Sequence, residues 1–198
     1  MTGRPRIGVF GGRFDPPHAG HVAVAGAAMR QLRLDRLVVV PSRQPPHRDA
    51  GTTPPEVRYA MAVAAFPGPG RVEVSRIELD RQGPDYTADT LAELAPEGRL
   101  FLIVGADHAE LPGWHMAERV RELATLVVAP RPGVEPPGPD VVALQMEPVD
   151  LASTAIREAV GRGEELGDRV PEAVAALIAA EGLYGEGACL AGSRRQWG

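Results

Sequence analysis

Short apolar runs rich in valine, leucine and isoleucine alternate along this chain with stretches patterned for helix, and this alternation limits the fold most. The strand candidates are Arg6–Phe10, Arg36–Val40, Arg71–Ser75, Arg99–Val104, Thr125–Ala129 and Val141–Gln145. Between and after them lie helix candidates at His21–Leu32, Glu56–Phe66, Thr87–Ala95, His115–Leu123, Thr154–Gly161 and Pro171–Glu181. A chain that regains a strand only after a helix must cross over its own sheet. The pattern therefore predicts an α/β domain with a mostly parallel sheet and helices on both faces. Two proline-rich stretches, Pro41–Pro55 and Pro130–Asp140, fit neither period, and loops that long in a compact domain are usually functional or mobile. The 198 residues suit one domain over 1–184, with an aperiodic tail at 185–198 expected to fray, and no internal repeat interrupts the pattern.

Composition removes several classes of function. The net charge of −5 argues against a dedicated nucleic-acid binder, although arginines and helix N-termini can still hold small anions locally. All 21 basic residues are arginine, so Schiff-base lysine chemistry and a P-loop lysine are excluded. Cys189 is the single cysteine, which excludes an internal disulfide and a multi-cysteine zinc site. The start of the chain enters a strand pattern and lacks a long apolar run, so a soluble cytoplasmic protein without a membrane partner is expected.

The segment Phe10-Gly11-Gly12-Arg13-Phe14-Asp15-Pro16-Pro17-His18-Ala19-Gly20-His21 joins the first strand to the first helix. In an open parallel sheet, ligands bind beyond the carboxyl ends of strands near the switch point, where this loop would lie. Gly11 and Gly12 permit a sharp turn and close approach of the backbone to a phosphate. A helix starting near His18 offers free N–H groups to an anion. His18 and His21, three apart, project from the same side of that turn. Two imidazoles there can donate hydrogen bonds to a triphosphate, or carry charge when an anionic field raises their pKa. The G-x-G-x-x-G dinucleotide fingerprint is absent, since Gly8 is followed by Gly11 and Gly12. A histidine pair at this spacing, taken alone, can equally be structural or metal-related.

The whole string, however, resembles the H-x-G-H nucleotidyltransferases, and within them the bacterial nicotinate-nucleotide adenylyltransferases, over roughly residues 6 to 184. The resemblance implies a Rossmann-like, doubly wound sheet. It also implies that His18 and His21 contact the ATP phosphates and stabilise the transition state, with Gly11, Gly12 and Phe14 beside the ATP and Asp15 beside the acceptor. The family pattern usually has threonine or serine where this chain has Arg13, which bears on phosphate contacts and acceptor affinity.

Further segments fit the same resemblance. Ser42-Arg43-Gln44-Pro45-Pro46-His47-Arg48 is by itself a proline-stiffened loop with a cationic edge, and the resemblance puts His47 at a phosphate or the acceptor. Thr87, in Pro84-Asp85-Tyr86-Thr87, suits a helix N-cap. The resemblance adds that Tyr86 and Thr87 hold the pyridine carboxylate, partly through backbone N–H groups. Asp107, after Gly105 and Ala106, either binds a ribose diol or caps the next helix, and the resemblance implies ATP binding for Gly105 and Asp107. Trp114 sits in a proline- and glycine-flanked stretch that favours a loop over the core, and the resemblance has it stack on the pyridine ring. Arg131, at the start of the second proline-rich stretch, is implied to meet the acceptor. Ser153 and Thr154 suit an N-cap, with Arg157 projecting from the first turn, so that hydroxyls, N–H groups and a guanidinium surround one anion. Leu151-Ala152-Ser153-Thr154-Ala155-Ile156-Arg157 resembles the family's Ser-Thr-x-Ile-Arg motif, which grips the β- and γ-phosphates; Ala152 stands where a serine is usual.

The implied reaction is attack by the phosphate of nicotinate mononucleotide on the α-phosphorus of ATP, with His18, His21 and Arg157 as the catalytic groups. Mg²⁺ is expected on the triphosphate, with no protein metal ligand named, and a homo-oligomer is left open. The competing readings are transfer to another acceptor such as nicotinamide mononucleotide or phosphopantetheine, a non-catalytic nucleotide-binding protein, and a dinucleotide-binding dehydrogenase.

Overall fold

The computed structural model describes residues 3–43, 53–67, 70–106, 114–134, 138 and 141–185. The strands are β1 (Arg6–Gly12), β2 (Arg36–Pro41), β3 (Val72–Val74), β4 (Arg99–Gly105), β5 (Ala124–Ala129) and β6 (Val142–Ala143). The helices are α1 (Ala19–Gln31), α2 (Pro55–Ala65), α3 (Ile77–Asp80), α4 (Thr87–Leu94), α5 (Ala117–Leu123), α6 (Ser153–Gly161) and α7 (Glu172–Ala180). Each of the six expected strands and six expected helices is present. The sequence reading missed α3, whose four residues are too few to show a period. The sixth strand is shorter than expected, and α1 begins at Ala19 rather than His21.

All five strand pairings are parallel, in the order β3-β2-β1-β4-β5-β6. The order reverses between β1 and β4, so the connections leave their carboxyl ends in opposite directions and open a crevice there. The side chains of each strand alternate between two buried layers, as pleating requires. Phe10, Leu37, Val39, Phe101 and Ile103 pack with α1, α2, α6 and α7. Ile7, Val9, Val38, Val40, Leu100 and Leu102 pack with α4 and α5. Gly8 is required for this close packing, because a Cβ there would lie 2.5 Å from Leu34 Cδ1 and 2.7 Å from Leu37 Cδ1. Among the described residues, no helix is long and apolar enough to cross a membrane.

Two expected caps are corrected. Thr87 is the first residue of α4 and the N-cap is Tyr86, while the N-cap of α6 is Ala152 rather than Ser153 or Thr154. In neither case does a side chain cap the helix. The hydroxyl of Ser153 donates instead to the carbonyl of Pro16, 2.9 Å away, which fastens the start of α6 to the β1–α1 loop.

Candidate active site

The β1–α1 loop sits at the crevice. Gly11 has open space around its missing side chain, leaving the backbone accessible, whereas a Cβ on Gly12 would press on the Phe14 ring at 3.2 Å. Phe14 adopts φ +51° and is 1% exposed, edge-on to Phe10 and Phe66. Its ring is a core element, and only its backbone remains to face a ligand. Asp15 is likewise buried. Its carboxylate accepts from Arg13 Nε at 3.1 Å and from the Tyr184 hydroxyl at 2.7 Å, so it organises the loop from beneath.

His18 is the N-cap residue of α1, and its carbonyl accepts the N–H of His21 at 2.9 Å. The His18 N–H in turn donates to Nδ1 of His21 at 3.2 Å, which leaves the ring proton of a neutral His21 on Nε2. The two rings lie 3.8 Å apart between centroids, and His21 also rests against Phe14 at 5.0 Å. Nδ1 of His18 is buried with no hydrogen-bond partner. Burial, followed by the field of Arg131, lowers the pKa of His18 to about 4. For His21, burial, His18 and Arg131 act in that order and hold the pKa well below its ordinary value. Both imidazoles are therefore neutral donors near pH 7 until an anion enters.

The first turn of α6 faces this pair. Arg157 donates from Nη1 to the carbonyl of Asp15 at 2.7 Å and from Nη2 to Oγ1 of Thr154 at 3.2 Å. Arg131 donates to the carbonyl of Leu151 at 3.0 Å, just ahead of the same helix. His18, His21, Ser153, Thr154, Arg157 and Arg131 thus come together at one end of the crevice, although some 130 residues separate the two motifs in sequence.

At the other end is a cleft of about 360 Å³ lined by Gly11, Gly12, Arg13, Ser42, Glu78, Asp85, Tyr86, Thr87, Thr90, Trp114 and His115. The strand ends Val9, Val40, Leu102, Ile103 and Val104 form its apolar floor. The Tyr86 ring stacks on His115 at 4.0 Å, beside Trp114. Gly105 ends β4, in register with Ala129. His47 and Asp107 lie outside the described residues.

Sequence reasoning missed four contributors. Arg58, 3% exposed on α2, donates to the carbonyls of Arg13, Ser42, Arg43 and Thr53 and so ties the first two βα connections together. A buried arginine inside a helix pattern carries no local sign of this task. Tyr184 reaches Asp15 from the far end of the chain. Glu78, in a stretch assigned to no element from the sequence, and His115, which read as the start of a helix, both line the cleft.

A family model described as cytidylyltransferase-like matches residues 9–159. A Thermus thermophilus protein named a probable nicotinate-nucleotide adenylyltransferase is 45% identical over 186 residues, covering 90% of this chain and 99% of its own. A Geobacillus thermodenitrificans protein of the same name is 40% identical over 187 residues, covering 91% and 86% respectively. Among solved structures, the Plasmodium falciparum nicotinic acid mononucleotide adenylyltransferase complexed with NaAD superposes with a TM-score of 0.75 at 16% identity. That alignment covers 91% of this chain and 97% of the other, and at such low identity it speaks to the fold alone. The chain therefore belongs to the cytidylyltransferase-like family and, within it, to the nicotinate-nucleotide adenylyltransferases.

Proposed function

We propose that this chain transfers the adenylyl group of ATP to nicotinate mononucleotide, in a step of NAD biosynthesis. A 5′-phosphate oxygen of the acceptor attacks the α-phosphorus, the bond from that phosphorus to the α–β bridging oxygen breaks, and pyrophosphate leaves. The acceptor phosphate is already a nucleophile, so no covalent enzyme intermediate is needed. What remains for the protein is positioning and stabilisation of developing charge.

The observation that carries this reading is the pairing of two ligand-ready helix starts, α1 and α6, at one end of the crevice with an aromatic-lined cleft at the other. Nε2–H of His21 donates to a phosphate oxygen, and His18 gains a partner for its buried ring when the triphosphate enters. Arg157, Ser153 and Thr154 hold the leaving pyrophosphate, with the open backbone at Gly11 alongside. Trp114, Tyr86 and Thr87 hold the acceptor's ring, Arg131 meets the acceptor's phosphate from beside the histidines, and Asp15 shapes the loop between the two substrates. Among the described residues no group of three or more histidine, cysteine or acidic side chains is placed to hold a metal ion. Mg²⁺ enters as part of the ATP substrate, held mainly by triphosphate oxygens and water. A cytoplasmic setting goes with these substrates, since ATP is supplied there.

The test is a coupled pyrophosphate-release assay with ATP and each pyridine mononucleotide in turn. Turnover with the nicotinate form, and weaker turnover with the nicotinamide form, is the expected result. Absence of release with both would overturn the reading.

A further inference from the structure

Adenylyl transfer as derived above makes no use of one buried carboxyl in the acceptor cleft. Glu78, on α3, is 7% exposed and lines the cleft with Asp85, Tyr86, Thr87 and Trp114. The hydroxyl of Thr90, 1% exposed on α4, lies 2.8 Å from Oε1 of Glu78. Arg81 donates from Nη1 to the same hydroxyl oxygen at 3.0 Å. A guanidinium only donates, so the single proton of the threonine hydroxyl is left to point at Glu78. With Oε1 accepting from Thr90, Oε2 is the oxygen left to carry a proton on Glu78. Among the described residues no other hydrogen bond reaches this carboxyl.

A carboxyl built into a cleft meant for an anionic ring substituent has two opposite characters. Protonated, it donates to a carboxylate through a charge-assisted hydrogen bond. Ionised, it repels a carboxylate and accepts from the NH₂ of a carboxamide. We propose that Glu78 is a specificity-determining residue whose carboxyl selects between carboxylate and carboxamide on the acceptor's ring. The inference rests on the acceptor reading given under Proposed function.

The surroundings place the changeover within the working range of pH. Burial pushes the Glu78 carboxyl up to about 7, against the Thr90 hydrogen bond, with Asp85 adding to the rise, Arg81 opposing it and Glu93 adding again. Thr90 and Glu93 come from α4, and Arg81, Asp85 and Tyr86 from the segment between α3 and α4. Among the described residues, Arg13 and His115 are the other charged or titratable groups along the cleft. With its pKa raised, Glu78 is a donor below that value and an anion above it. Preference for the carboxylate form of the acceptor should therefore decline as pH rises through about 7.

The experiment measures kcat/KM for nicotinate and nicotinamide mononucleotide at saturating ATP across roughly pH 6 to 8.5. Where the amide turns over too slowly, its Ki against the nicotinate form replaces the rate. Both acceptors carry the same phosphate and meet the same histidines, so those titrations cancel in the ratio. The wild-type ratio should fall by about tenfold over that range, the loss of one charge-assisted hydrogen bond. Glu78→Gln should give a flat ratio, while His115→Gln should keep the wild-type slope. A flat wild-type ratio overturns the proposal even if Glu78→Gln does not fold, and so does an unchanged slope in that variant or a flat ratio in His115→Gln. Turnover with a flat ratio overturns the role of Glu78 alone. No turnover with either mononucleotide removes the acceptor reading and this inference together.

Discussion

The two ends of the crevice, proposed above to hold the phosphates and the acceptor, are built in different ways. At the phosphate end, the donors lie on the first turns of α1 and α6, and each is fixed by the backbone near it: His21 by the N–H of His18, and Arg157 by the carbonyl of Asp15. At the acceptor end, the walls come from α3, α4 and the segments after β2 and β4, and they meet through side-chain contacts such as Thr90 with Glu78 and Tyr86 with His115. Under the proposed function, the first arrangement presents neutral or cationic donors to a charge that grows during reaction. The second presents aromatic faces and carboxyls to a ring that is only held. Substitutions at the phosphate end should therefore act on kcat and on ATP, and those in the cleft on acceptor binding and choice.

The largest effect is expected for His21→Ala. Losing a preorganised donor aimed at the phosphates should cost about 3 kcal/mol or more in the transition state, roughly a hundredfold in kcat. The unfolding temperature, followed by circular dichroism, should stay near wild type because His21 contributes only part of its ring to the core. A folded variant with near-normal turnover would break the comparison at its strongest point.

Arg157→Lys comes next. The fork now spans the Asp15 carbonyl and Thr154 Oγ1, and an ammonium cannot hold two such points while meeting phosphate oxygens. A loss of about 1.4 kcal/mol, roughly tenfold, is expected in kcat/KM for ATP, with the acceptor's KM little changed. Varying each substrate in turn decides this, and unchanged ATP parameters would reduce Arg157 to a strut between α6 and the loop.

Trp114→Ala probes the other end. Removing a half-buried aromatic wall should cost about 1 kcal/mol of stacking, roughly fivefold in the acceptor's KM, while kcat at saturation and the KM for ATP hold. An equal loss in kcat would show that the cleft shapes the transition state and would erase the contrast between the two ends.

That contrast also explains what could be read from the sequence. The strands were legible because β-branched runs between helices leave few alternatives, and the candidate phosphate end because the residues that the fold brings together there sit within contiguous motifs. Start points were less legible. Helix α1 begins at Ala19 because His18 in extended geometry caps it, a task its residue type does not announce. Ser153 resembles a cap, yet its hydroxyl serves Pro16, 137 residues away, and no local pattern encodes that bond. The acceptor end was legible only where aromatic residues stood in recognisable company. In Ile77-Glu78-Leu79-Asp80 the two acids look alike, and only the tertiary packing leaves Asp80 outside, paired with Arg76, and buries Glu78 against Thr90.

Tyr184→Phe should produce the smallest effect and the most discriminating one. The hydroxyl of Tyr184 donates to Oδ1 of Asp15 at 2.7 Å, while Arg13 donates to Oδ2 from the opposite side. Burial comes first in raising the phenol's pKa, and the Asp15 charge adds to it, so the hydroxyl stays a donor at any working pH. Removing it leaves the shape of the ring intact and one carboxylate oxygen of a buried Asp15 without that donor, which should cost about 1 kcal/mol of stability. The consequence for activity depends on which end of the crevice Asp15 serves. Its backbone carbonyl is the anchor of Arg157, so a loosened Asp15 should reach ATP through that guanidinium, giving about a twofold to threefold loss in kcat/KM for ATP. Arg13, which lines the acceptor cleft, would keep its own contact with Oδ2, and the acceptor's KM should hold. Chemical denaturation together with two-substrate kinetics separates these outcomes. A rise confined to the acceptor's KM would assign Asp15 to the cleft, and the boundary between the two ends would then run through the β1–α1 loop rather than beyond it.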